Sequence, residues 1–158
     1  MGKNKPTPEQ QSVIDHKAGA LLVSAAAGSG KTKVLVDRLL RHVCDPVHPC
    51  NVDDFLIITF TQAAAAELRE KIAKKISERL SAEPSNRHLR RQLTRLYMAQ
   101  ISTVHSFCTE ILREHAYLLN IPADFRVGDE TECVSLQEQV LADLSGAQDL
   151  AEEKHMMQ

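Results

Sequence analysis

Ala20-Leu21-Leu22-Val23-Ser24-Ala25-Ala26-Ala27-Gly28-Ser29-Gly30-Lys31-Thr32-Lys33-Val34-Leu35-Val36-Asp37-Arg38-Leu39-Leu40-Arg41-His42 decides the fold. An apolar run, a glycine turn and a helical pattern follow one another, with Gly-Lys-Thr at the joint, which is the pattern of a phosphate-binding loop. Gly28 and Gly30 let the backbone turn back and aim its N–H groups inward. The helix that follows adds its positive end, and together they cradle a polyphosphate. Lys31 is placed to reach the β- and γ-phosphates and the Thr32 hydroxyl to hold Mg²⁺, so ATP and Mg²⁺ are the expected ligands. The motif's first consensus glycine is Ala25 here. A plain glycine turn between a core strand and a helix is the competing reading, and Gly-x-Gly-Lys-Thr in this setting disfavours it.

Working outward, the 158 residues suffice for one domain and the start of another, and 43% apolar content suffices for a core. No run approaches membrane-spanning length and no secretory signal opens the chain, so a cytoplasmic protein without a membrane partner is expected. Cys44, Cys50, Cys108 and Cys133 show no Cys-x-x-Cys spacing and read as ordinary thiols. His105 and Cys108 lie three apart, but no second pair completes a zinc site. The net charge of −2 is unevenly spread. Residues 67–95 carry nine Lys/Arg against four Asp/Glu, and residues 120–158 carry two against nine. The basic middle suits either a nucleic-acid backbone or a solvated helix face.

Thr7-Pro8-Glu9-Gln10 opens a helix, with Thr7 as cap and Val13 and Ile14 on its apolar side. Residues 20–24 are expected as a buried strand, and residues 31–43 as a helix with Val34, Leu35, Leu39 and Val43 inward. Phe55–Phe60 reads as a second strand. A helix over about 62–81 carries Ala65, Leu68, Ile72, Ile76 and Leu80 at helical spacing, and Pro84 breaks it. A basic helix over about 86–97, a strand at Gln100–Thr103 and an amphipathic helix with Val104, Phe107, Cys108, Ile111, Leu112 and Leu119 follow. Phe125-Arg126-Val127 is expected as a fourth strand, and from Glu130 the pattern is acidic and helical, with Val134, Val140, Leu141 and Leu144 apolar. Strands alternating with helices predict an α/β fold with a parallel sheet.

Taken together, Gln10, Ala25–Thr32, Thr59-Phe60-Thr61-Gln62-Ala63-Ala64-Ala65 and Ser102-Thr103-Val104-His105-Ser106-Phe107 stand in the order and spacing of superfamily 1 helicases of the UvrD/Rep type. The run Ser24–Thr32 and the stretch from Ile101 to Leu144 are most similar to the AddA branch, the helicase–nuclease subunits of bacterial AddAB complexes. The resemblance covers nearly the whole chain and corresponds to the amino-terminal end of a much longer protein. It implies a RecA-like P-loop NTPase domain over residues 1–128, incomplete here, and the start of an inserted helical subdomain over 129–158. It implies an ATP-dependent DNA helicase/nuclease subunit of the bacterial cytoplasm. Such a subunit would act in double-strand-break repair and recombination, move along single-stranded DNA by ATP hydrolysis, meet single- and double-stranded DNA, and pair with an AddB-like subunit.

The same resemblance distributes roles. Gln10 would read the adenine edge, which an amide can do with a donor beside an acceptor. The loop Ala25-Ala26-Ala27-Gly28-Ser29-Gly30-Lys31-Thr32-Lys33 would bind nucleotide, with Lys31 and Thr32 catalytic. Phe60 would stack on a base while Thr61 and Gln62 bond phosphate oxygens. Thr103, His105 and Ser106 would form a second DNA contact. Many relatives have Asn-Lys where this chain has Gln62-Ala63. ATP hydrolysis also needs an acidic pair after an apolar strand. Asp143 follows Val140-Leu141-Ala142 in a helical pattern and Asp124 follows Pro122, so neither supplies it. The 158 residues therefore read as a fragment, inactive alone. A nucleotide-binding module without turnover, or a P-loop enzyme of another class such as a small-molecule kinase, are the alternatives.

Overall fold

A computed structural model describes residues 5–122 and 124–156, with side chains to Ser145 in the last helix. The outer ends of both expected domains, residues 1–4 and 157–158, lie outside the described residues. The chain divides into two compact units, between Ile111 and Leu112. That division concerns packing and does not bear on domain limits at residues 128 and 129.

The first unit holds helix α1 (Pro8–Asp15), helix α2 (Lys31–Val43), strand β1 (Leu56–Thr59), helix α3 (Gln62–Ala82), helix α4 (Arg87–Arg95), strand β2 (Gln100–Thr103) and most of helix α5 (Val104–Glu114). Both strands run parallel, in the register Leu56↔Gln100, Ile57↔Ile101, Ile58↔Ser102 and Thr59↔Thr103. The α3–α4 crossover between them is what a parallel pair requires. Side chains alternate along β1, so Leu56 and Ile58 are exposed while Ile57 packs against the core.

That core joins four elements. Val36, Leu39, Leu40 and Val43 of α2 meet Ala65, Leu68, Ile72 and Ile76 of α3, with Leu89 of α4 and Ile101 of β2. The α3 positions are those its periodicity predicts. On α2 the buried stripe follows i, i+3, i+4, i+7 from Val36, and Leu35 falls beside it and stays exposed. The loop entering β1 is pinned by Gln92, a fully buried side chain of α4. Its Oε1 accepts from Val52 N at 2.8 Å and its Nε2 donates to Asn51 Oδ1 at 3.0 Å. Arg95 adds an ion pair to Asp53 at 2.7 Å. Arg69 of α3 donates to the carbonyls of Leu96, Ala99 and Ile101, tying the entry of β2 to α3.

Two expected strands do not form. Residues 20–24 pair with nothing in the sheet, whose strands are β1 and β2 alone among the described residues, and Leu22 is 95% exposed. An apolar run becomes a strand only when a neighbour completes its ladder. The apolar positions of α5 are likewise not buried.

In the second unit, Phe125-Arg126-Val127 is also not a strand. Turn and cap chemistry takes that segment instead. Phe125 N donates to Pro122 O at 3.2 Å, and the Arg113 guanidinium lies 5.8 Å from the Phe125 ring centre. Arg126 pairs with Glu132 in the first turn of helix α6 (Glu130–Met156). Asp129 caps that helix, its Oδ1 accepting from Glu132 N at 2.9 Å. The Arg126 guanidinium and the Asp129 amide hold the Glu132 carboxyl below the usual range.

Candidate phosphate loop and strand-end shelf

The phosphate loop is built by two left-handed glycines. Gly28 has φ +76° and Gly30 φ +85°, a region other residues enter only under strain. Between them Ser29 N donates to Ala26 O at 3.3 Å, closing the turn. Gly30 is the N-cap of α2 and supplies no side-chain cap. The first N–H groups of α2 are therefore left facing the loop, where an anion complements them and the helix dipole. Such a cradle fits a polyphosphate. Thr32 lies in that first turn, exposed.

Lys31 folds back over the loop, its Nζ donating to Ala25 O at 2.8 Å and Ala26 O at 2.7 Å. The ammonium thus lies against the carbonyls of the loop's first two residues, Ala25 and Ala26. Gln10, distant in sequence, reaches the same loop. Its Nε2 donates to Ser29 O at 3.1 Å, while its Oε1 accepts from Thr7 N at 3.0 Å in the capping box of α1. Arg38, which sequence reasoning missed, fixes this arrangement from α2 by donating to the carbonyls of Val13 and His16 at the end of α1. An arginine on an amphipathic helix reads as surface, and no local signal shows that it captures another helix's carbonyls.

The second set of candidate residues gathers where β1 and β2 end. Thr59 and Thr103 are register partners, so the chain leaves both strands at one sheet edge and enters α3 and α5 there. Phe60 leaves β1 with its ring fully exposed. Thr61 caps α3, its Oγ1 accepting from Ala64 N at 3.1 Å. Thr103 caps α5 in the same manner, accepting from Ser106 N at 3.2 Å. His105 is exposed beside it. Gln62 Nε2 reaches across to Ser106 Oγ at 3.4 Å. The structure thus gathers Phe60, Thr61, Gln62, Thr103, His105 and Ser106 at one edge, and Gln10 with Ala25–Lys33 at the loop.

Comparison with known proteins places the chain in a family. Residues 6–158 match the family model described as the UvrD/REP helicase N-terminal domain. The chain is 46% identical over 158 residues to an ATP-dependent helicase/nuclease subunit of Lachnoclostridium phytofermentans, covering 96% of this chain and 12% of that protein. It is 50% identical over 147 residues to the protein of the same name in Desulfitobacterium hafniense, covering 91% and 10%. For the protein of that name in Clostridium novyi the figures are 47% over 141 residues, 89% and 11%. The chain thus spans about a tenth of the length of these curated relatives. It belongs to the UvrD/REP helicase family and carries the N-terminal domain of that family.

Proposed function

We propose that the chain is the ATP-binding amino-terminal part of an ATP-dependent DNA helicase/nuclease subunit that works in double-strand-break repair and recombination in the bacterial cytoplasm. Residues 1–128 would belong to a first RecA-like domain and residues 129–158 would open an inserted helical subdomain. An AddB-like second subunit is the expected partner. The observation that carries this proposal is the loop itself: two left-handed glycines, the uncapped start of α2, and Lys31 against its first carbonyls with Gln10 alongside.

Each group then has a task. The N–H groups of α2 and the loop hold the phosphates, and Lys31 exchanges the Ala25 and Ala26 carbonyls for β- and γ-phosphate oxygens. Gln10 can release Ser29 O to offer its amide to the adenine edge. The Thr32 hydroxyl would hold Mg²⁺, which when bound neutralises phosphate charge. Phe60 and His105 offer a ring and an imidazole to single-stranded DNA at the strand-end shelf.

The test is single-stranded-DNA-stimulated ATP hydrolysis by the full-length protein. Lys31→Ala should lower it by about 10²–10³-fold, the usual cost of deleting one preorganised stabilising group. Hydrolysis unchanged in that variant, or indifferent to DNA in the wild type, would overturn the proposal.

A further inference from the structure

Gln62 and Ser106 stand 44 residues apart on different strand-to-helix junctions, yet Gln62 Nε2 donates to Ser106 Oγ at 3.4 Å. Ser106 Oγ in turn shares a hydrogen bond with Thr103 Oγ1 at 2.9 Å. Thr103 Oγ1 also accepts from Ser106 N at 3.2 Å, and Thr103 is only 9% exposed at the end of β2. A polar path therefore runs from the first turn of α3, through the start of α5, to the buried end of the sheet. A serine hydroxyl has one proton and two lone pairs. Here two of those three capacities are engaged, one by Gln62 and one by Thr103. Ala63 and Ala64, which follow Gln62, carry no polar group that could replace its amide.

We infer that Gln62 is a positioning residue, whose amide ties the start of α3 to Ser106 on α5 and so fixes the spacing between Phe60 and His105. The inference rests on the proposal that this shelf receives single-stranded DNA. It assigns Gln62 and Ser106 to each other instead of to two separate phosphates. Thr59 Oγ1, donating to Thr61 O at 2.9 Å, holds the turn between Phe60 and the tie from the other side. Losing the tie would leave each junction correctly capped by its own threonine but free to shift against its neighbour.

The test uses Gln62→Ala, Ser106→Ala and the double variant in the full-length protein, with two readouts. The first is amide hydrogen exchange over residues 104–107 without DNA. The second is affinity for a fluorescent single-stranded oligonucleotide at fixed salt. Gln62→Ala should speed exchange at residues 104–107 several-fold, although Gln62 lies on another element. Each single variant should weaken oligonucleotide binding roughly three- to tenfold, and the double no more than the worse single, as for two ends of one hydrogen bond. Ser106→Thr, which keeps the hydroxyl, should restore binding. Unchanged exchange in Gln62→Ala removes the tie, and additive binding losses replace it with two independent contacts. If the wild type fails to bind the oligonucleotide, the DNA reading of the shelf falls, and exchange alone still supports or removes the tie.

Discussion

Phe60 concentrates the functional question at the scale of a residue. It follows an apolar strand and could have been its last core position, but its ring is fully exposed. Removing it therefore costs little packing, and Phe60→Ala should change stability by less than about 0.5 kcal/mol. If the ring stacks on a base, a loss of roughly 1–3 kcal/mol in single-stranded DNA binding follows, or about 5- to 150-fold in affinity. His105→Ala should melt normally and bind more weakly in the same assay. Melting curves and DNA titrations of the full-length variants decide this, and two variants that melt and bind like wild type would remove the shelf's role. Gln10 and Lys31 pose a different residue-scale point. Both hydrogen-bond to loop carbonyls, so on the proposed reading nucleotide entry would exchange existing contacts.

Elements depend on fewer, more local decisions, and one of these is titratable. The loop into β1 is held by Asp53, whose carboxyl the Arg95 guanidinium keeps below its usual range. A carboxylate with a depressed folded-state value stabilises fully above its unfolded value of about 3.9 and loses that contribution as pH falls through the folded value. Denaturant midpoints should therefore drop below about pH 4, and Asp53→Asn should flatten that part of the profile. The pair is partly exposed, so less than about 1 kcal/mol is at stake. Helix α2 was legible in the sequence to its ends, Lys31 and Val43, and β2 likewise at Gln100–Thr103. Periodicity, caps and glycine turns are written within a few residues of where they act. Residues 20–24 and 125–127 were not legible, because a strand belongs to a pair of segments and the pairing partner is not a local property. Arg38 reaching α1 and Gln62 reaching Ser106 were hidden for the same reason. The glycine turn at Gly28 and Gly30 was readable from Gly-x-Gly-Lys-Thr alone, whereas Gln10's place beside it was readable only through the family resemblance.

At the scale of the whole molecule, the apolar surface is unevenly used. The first unit closes a core around α3, while Val134, Val140, Leu141 and Leu144 of α6 stay exposed. Among its described side chains α6 buries none, so it gains little there beyond its own backbone bonds, and isolated helices are marginal in water. Amide exchange between Val134 and Leu144 should run at least ~100-fold faster than at Ile72 in the 158-residue chain. Equal protection at the two places would show that α6 is stabilised by something beyond its own length.

The parallel register of β1 and β2 has a last consequence. Because Thr59 and Thr103 are paired, α3 and α5 both begin at one edge of the sheet. Each threonine cap satisfies one N–H, and each helix start has more than one to satisfy. The rim is therefore positive through backbone dipoles, and Ala63 adds no ammonium to it. A nucleic-acid strand gripped by such dipoles would displace few condensed counterions. On the proposed DNA-binding reading, the affinity of that contact should fall only shallowly between dilute buffer and the ionic strength of a cell.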